Sequence, residues 1–151
     1  MIFNRTVEDV NNAIKIRTEK VQKGLSLSQE DVEILERGTI TINTLNRIEE
    51  AQDTLKSTFN DMGYWNTPIS NKHWIENDIF NKDDFERIVE NLNVLKNAFF
   101  VHSNTPNTPN AEYHFENINA IEKILSDLDV MINDVKSHYR WCGTFNCGEK
   151  I

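Results

Sequence analysis

The side chains of this chain that could do chemistry are four histidines, two cysteines and several neighbouring carboxylates. A helical metal site needs two histidines at i, i+4 spacing, and a metalloprotease motif adds a glutamate between them. Neither pattern occurs among the histidines, which are His73, His102, His114 and His138. A histidine near a helix C-terminus is also favourable through the helix dipole alone, which accounts for the last of them. No metal ligand is therefore predicted.

The cysteines and carboxylates do not form a reactive group either. Cys142 and Cys147 are separated by four residues, not by the two of a zinc knuckle, and no second pair exists. Two free thiols in a reducing compartment are favoured, with a disulfide as the alternative. Asp127 and Asp129 point to different helix faces, and acids at a helix start serve the dipole. We expect no catalytic residue, no cofactor and no enzyme activity.

Composition limits the kinds of partner. The 151 residues suggest one domain with a core of its own, and the formal net charge is −8. An acidic surface repels nucleic-acid backbones and anionic membranes, so neither is an expected partner. No run of about 18 apolar residues could span a bilayer. The opening residues do not resemble a secretory signal, so synthesis in the cytoplasm is expected.

The elements that must position these residues are helices. An apolar phrase with helical spacing occurs three times, as Leu45–Leu55, Phe85–Leu95 and Ile118–Leu128. Its unequal spacing favours three bundle helices over a solenoid repeat. Capping residues, glycines and periodicity together predict helices over about 7–23, 29–37, 42–62, 83–99 and 115–137. The first should cover the core from outside, with Val7, Ile14 and Val21 along its apolar spacing. The predicted fold is all-α, a small bundle of three to four main helices over residues 1–138.

Two kinds of aromatic segment lie outside the helices. Residues 64–81 form a long connection containing Trp65 and Trp74, which either fill the end of the bundle or face a partner. Residues 139–151 alternate large and small side chains and are predicted to form an extended C-terminal arm. Exposed aromatic side chains at a chain end indicate docking, either on the chain's own bundle or on a neighbour. The candidate partner-interface residues are Ile2, Phe3, Trp65, Trp74, Tyr139, Trp141 and Phe145.

Four segments resemble a family of small proteins encoded in phages and prophages of Gram-positive bacteria. They are residues 3–10, 44–49, 84–87 and the ending Trp141-Cys142-Gly143-Thr144-Phe145 with Gly148-Glu149. The resemblance follows the same order along nearly the whole chain. Family tails often have serine or tyrosine where this chain has Cys147, so the resemblance does not imply a required cysteine pair.

The resemblance implies a virion structural protein from the tail and baseplate region. On that basis we expect a non-enzymatic component of a phage tail, at the baseplate or fibre attachment, made in the host cytoplasm. Its apolar ends would dock on other tail or baseplate proteins, with several symmetric copies in the particle. The alternative is a free acidic helical module that binds and inhibits a basic host or phage protein.

Overall fold

A computed structural model describes residues 1–63 and 69–142, with side chains as far as residue 138. Within these ranges the regular secondary structure is helical, which confirms the predicted all-α bundle. The five α-helices, with a short 3-10 helix at Val21–Lys23 after the first, are α1 (Val7–Glu19), α2 (Gln29–Gly38), α3 (Ile42–Asp61), α4 (Lys82–Ala98) and α5 (Phe115–Cys142). None of the helices among the described residues has both the length and the apolarity to cross a membrane.

Capping boxes set the starts of three helices. Thr6, Ser28 and Asn81 each accept a hydrogen bond from the backbone N–H three residues on, and the aspartate there bonds back. This reciprocal bonding satisfies N–H groups that a helix start leaves unpaired. The sequence predicted the first two caps. It placed the start of α4 one or two residues late, because Asn81 was not recognised as the cap.

Helices α3, α4 and α5 run in the same direction. Glu49 of α3 bonds Arg87 of α4, and ten residues further along α3 the ring of Phe59 stacks on Phe99, directly after α4. On the other side of α3, Arg47 bonds Glu122 of α5. Further along the same pair, Lys136 reaches Thr58. Contacts that advance together on two helices require a parallel pair.

Parallel helices explain why the connections between them are long. After α3 the chain travels back along the helix, since Lys56 donates to the carbonyl of Ile69 while Asn46 and Trp74 exchange hydrogen bonds. The α4–α5 connection returns likewise, and Thr105 bonds Asp127 on the way. Each connection therefore covers a side of the bundle and is not a short loop at its end.

The main core lies between α3, α4 and α5. Among its fully buried side chains are Phe59, Trp74 and Phe85, together with leucines and isoleucines from all three helices. The three copies of the apolar phrase meet here side by side, because their helices are parallel. The core cluster of the described residues contains no residue of α1 or α2.

Helices α1 and α2 form a separate antiparallel hairpin. Lys20 pairs with Asp31 at the turn, and Arg37 pairs with Asp9 at the open end. Gly38, the last residue of α2, lies so close to α1 that an added Cβ would be 2.1 Å from the carbonyl oxygen of Asp9. Glycine is therefore required by this close approach, and not only as the predicted helix stop.

The long C-terminal helix ends later than was predicted. Helix α5 continues to Cys142, so residues 139–142 are helical where an extended arm was predicted. The apolar spacing ended near residue 137, so it did not predict the last turn of the helix. The rest of the predicted arm, residues 143–151, lies outside the described residues.

Candidate functional site

A buried ion cluster joins the N-terminal segment to the bundle. Its centre is Glu122 of α5, whose side chain has no exposed surface. Arg5 pairs with one carboxylate oxygen, and Arg47 of α3 donates to the other from Nε at 2.9 Å and Nη2 at 2.7 Å. The backbone N–H of Ile2 adds a bond at 3.2 Å. Two guanidinium groups thus share one carboxylate.

Asn119 fixes the N-terminal segment one helical turn earlier on α5. Its Oδ1 accepts from the backbone N–H of Arg5 at 3.1 Å, and its Nδ2 donates to the carbonyl of Arg5 at 2.9 Å. The side-chain amide therefore satisfies both backbone groups of one residue, as a neighbouring strand would. The N-terminal segment is consequently held on the chain's own bundle.

A second buried cluster surrounds Glu49 of α3. Arg87 of α4 binds both carboxylate oxygens, at 2.6 and 2.7 Å. The indole of Trp74 and the backbone N–H of Lys72 donate to the same carboxylate at 2.8 and 2.6 Å. The hydrogen bond to Glu49 raises the pKa of Arg87 above its usual value. This cluster fixes the connection after α3 between two helices.

These clusters position the segments that they join. Both buried carboxylates accept several charge-assisted hydrogen bonds from arginine side chains and backbone N–H groups. Interhelical ion pairs of this kind set which helices pack and in what register. The described part of the chain brings together no three histidine, cysteine, aspartate or glutamate side chains that could hold a metal ion. All four histidines are exposed.

A cavity of about 340 Å³ lies between the hairpin and the start of α5. Its wall is mostly apolar, with Val10, Ile40, Phe115 and Ile118 among the lining residues, and Arg5 also lines it. The other residues around it are Gly38, Thr39, Tyr113 and His114. No sequence pattern indicated this cavity, because it depends on how the hairpin sits on the bundle.

The structure places the predicted interface residues in different environments. Trp74 is only 2% exposed and lies in the core, so it fills the bundle and does not face a partner. Ile2 is half-buried on the bundle, whereas Phe3 keeps 41% of its surface exposed, with the Lys123 ammonium 5.5 Å from its ring centre. The side chains that lie outside the described residues are those of Trp65, Tyr139, Trp141 and Phe145.

An exposed apolar stripe along α1 and the 3-10 helix after it corrects the prediction for the first helix. Val7, Ile14 and Val21 are 61%, 53% and 44% exposed, although their spacing was expected to face the core. The buried residues of α1 are instead Ala13 and Ile16. The spacing of seven residues places Val7 and Ile14 on one face of α1, and Val21 follows in the 3-10 helix after it. Periodicity detected the stripe but could not reveal which side the core would occupy.

Comparison with known proteins adds no relative. No protein-family model matches the chain, and neither a curated protein nor a solved structure matches it.

Proposed function

We propose that this protein is a non-enzymatic structural component of a bacteriophage tail, at the baseplate or the fibre attachment. The proposal rests on the resemblance of four sequence segments to small phage and prophage virion proteins. The arrangement of the chain supports a binding role, since the buried charged groups join helices and large apolar side chains remain exposed. Docking on neighbouring subunits is the task that such a surface suits.

The observation that carries this proposal is the exposed stripe of Val7 and Ile14 on α1 with Val21 in the 3-10 helix that follows it. The stripe belongs to a hairpin that lies outside the main core, so a neighbouring subunit can reach it. Monomeric proteins seldom leave several large apolar side chains grouped on one exposed surface without a partner. We therefore assign to this stripe the docking role that was predicted for the chain ends.

The energetics require more than one contact. Burying the three stripe side chains would contribute roughly 1.5–3 kcal/mol each. Association itself costs on the order of 4–15 kcal/mol in lost rigid-body freedom. The sum of about 4.5–9 kcal/mol lies within the range of that cost and leaves little surplus, so several copies arranged symmetrically in a particle would make the attachment stable.

Purified virions test the proposal directly. Mass spectrometry of particles should find the protein in several copies each. The variant Ile14→Glu should leave the chain folded, because this side chain is exposed, but should greatly reduce its incorporation. Asn12→Glu is the matched control, since it adds the same charge at another exposed position of α1. Absence of the wild-type protein from virions, or equal incorporation of both variants, would contradict the proposal.

The C-terminal segment is tested separately. Deleting residues 143–151 leaves α5 complete as far as Cys142, so circular dichroism should show unchanged helices. If these residues also dock on a neighbour, the shortened protein should be lost from particles. Normal incorporation would restrict the docking role to α1.

The negative net charge favours the alternative function, a free acidic module that binds a basic protein. The net charge is −8, and Asp83, Asp84 and Glu86 cluster at the start of α4. Beside them the pKa of Tyr113 is raised, first by partial burial of the ring and then by these carboxylates. Salt separates the two functions, because an electrostatic partner should dissociate as ionic strength rises and an apolar contact should persist.

A further inference from the structure

We propose that the cavity beside Arg5 is a binding site for a monocarboxylate with a compact apolar body. This site is independent of the docking stripe, because neither Val7 nor Ile14 lines the cavity. It is also independent of any role in a virion. The argument rests on the charge of the cluster, on one unpaired donor and on the shape of the cavity.

The ion cluster behind the cavity has an excess of positive charge. Arg5 and Arg47 contribute two guanidinium groups, and Glu122 contributes a single carboxylate. The nearby pair of Arg37 and Asp9 is balanced within itself. A guanidinium stays charged at any ordinary pH, so the three side chains keep a net charge of +1. A bound anion would neutralise it.

One donor of this cluster has no partner. Arg5 is only 5% exposed, and its Nη2 is the one buried side-chain nitrogen or oxygen of the described residues that lacks a hydrogen-bond partner. Its Nη1 serves Glu122 and the carbonyl of Ile2. Leaving a buried charged donor unpaired is costly, and a carboxylate is the acceptor that a guanidinium binds best.

The cavity favours a small apolar body on that anion. Its volume of about 340 Å³ lies at the lower end of the usual range for small-molecule sites, roughly 300–1,000 Å³. Val10, Ile40 and Phe115 supply apolar wall, and Tyr113 lines another part of the cavity. The single excess positive charge of the cluster matches a monoanion better than a more highly charged ligand such as a phosphate dianion.

Two sources share this chemistry, a free carboxylic acid and the C-terminal carboxylate of a peptide. The probes are 3-phenylpropionate and the peptide Gly-Gly-Phe, each compared with its neutral amide by calorimetry. We expect the acid of at least one pair to bind ten-fold or more tightly than its amide. The pair with the larger ratio identifies the source. Equal affinity of acid and amide in both pairs, or no binding of either acid at 10 mM (about 2.7 kcal/mol of affinity), would overturn the proposal.

Two variants and one control locate the binding. Val10→Phe should fill the cavity and abolish binding. Arg5→Lys should reduce the affinity for the acid ten-fold or more, because the substitution removes Nη2. Arg47 does not line the cavity, and Arg47→Lys keeps the charge of the cluster. The affinity of this control variant for the acid should therefore stay within three-fold of wild type.

Chemical-shift mapping on the wild type keeps the proposal testable if a variant fails to fold. The acid should perturb the backbone amides of Gly38, Thr39 and Phe115, which line the cavity. Perturbations confined to other parts of the chain would overturn the proposal. Because every readout is binding to the isolated chain, failure here leaves the virion experiment unaffected.

Discussion

Two buried glutamates show how single residues specify this fold. Glu49 and Glu122 each lie beside an inward-facing isoleucine in copies of the repeated phrase, and each pairs with an arginine from another segment. Desolvating such a pair offsets much of its attraction, so the net gain in stability is small. The larger effect is on specificity, because any other register would leave a buried charge unpaired.

Replacing Glu122 by glutamine should be strongly destabilising. The amide offers one oxygen in place of two, so Arg5 and Arg47 cannot both be satisfied in the buried cluster. Breaking a buried ion pair costs about 3–5 kcal/mol, and urea unfolding should show a loss of this size. Glu116→Gln on the exposed side of α5 is the control and should change the free energy of unfolding by less than about 0.5 kcal/mol. Equal effects of the two variants would mean that the cluster is not buried as described.

The Asp31 carboxylate at the hairpin turn predicts a pH dependence. The Lys20 ammonium, with the backbone N–H and hydroxyl of Ser28, lowers the pKa of Asp31 from 3.8 to about 2. On acidification the unfolded chain therefore takes up this proton before the folded chain does. The contribution of Asp31 to stability is complete above pH 3.8 and is lost as the pH falls to about 2.

Titration by NMR checks this assignment. In Lys20→Met the pKa of Asp31 should rise towards 3.8, because the first donor to its carboxylate is gone. Lys15→Met removes the same charge from an exposed position of α1 and should leave that pKa unchanged. A wild-type pKa near 3.8 would show that the hairpin turn is open in solution.

At the scale of the elements, the α1–α2 hairpin depends on Gly38. An added methyl group would be 2.1 Å from the Asp9 carbonyl oxygen and 2.4 Å from the Ala13 Cβ, so the two helices would have to separate. Gly38→Ala should therefore cost about 1–3 kcal/mol, as overpacking usually does, despite alanine's higher helix propensity.

Thermal unfolding followed by circular dichroism measures the effect of this substitution. Glu33→Ala, on the exposed surface of the same helix, is the control for a change to alanine. Amide exchange should locate the loss of protection in α1 and α2. A Gly38→Ala protein as stable as wild type would mean that the hairpin tolerates a wider spacing.

The helices themselves could be predicted because their signals are local. Thr6 and Ser28 as caps, the glycines and the apolar spacing placed most boundaries within a few residues. The orientation of α1 could not be predicted in this way. Val7 and Ile14 have larger side chains than Ala13, yet the close approach of Gly38 places α2 against Ala13, on another side of α1. Helix orientation depends on a residue in a different helix, which periodicity within one helix does not contain.

At the scale of the whole molecule, the relative direction of the three core helices could not be predicted from the sequence. The apolar phrases of α3, α4 and α5 fit a parallel or an antiparallel bundle equally well. The long connections were the one available signal, and an aromatic loop such as residues 64–81 could equally have been a partner surface. The candidate site depends on the same arrangement, since Arg5 meets Glu122 only across 117 positions of chain.

The length of the α4–α5 connection should decide whether the bundle can form. Helix α4 has 17 residues and is about 25 Å long, so a parallel α5 requires the chain to return that distance. Deleting residues 102–112 leaves five connecting residues, which reach at most about 18 Å. The deletion should therefore abolish the cooperative unfolding transition in circular dichroism. Replacing the same eleven residues by glycine and serine keeps the reach, so this control should fold with only reduced stability. A deletion variant as stable as that control would show that α4 and α5 can pack antiparallel. That result would contradict the parallel arrangement of the bundle.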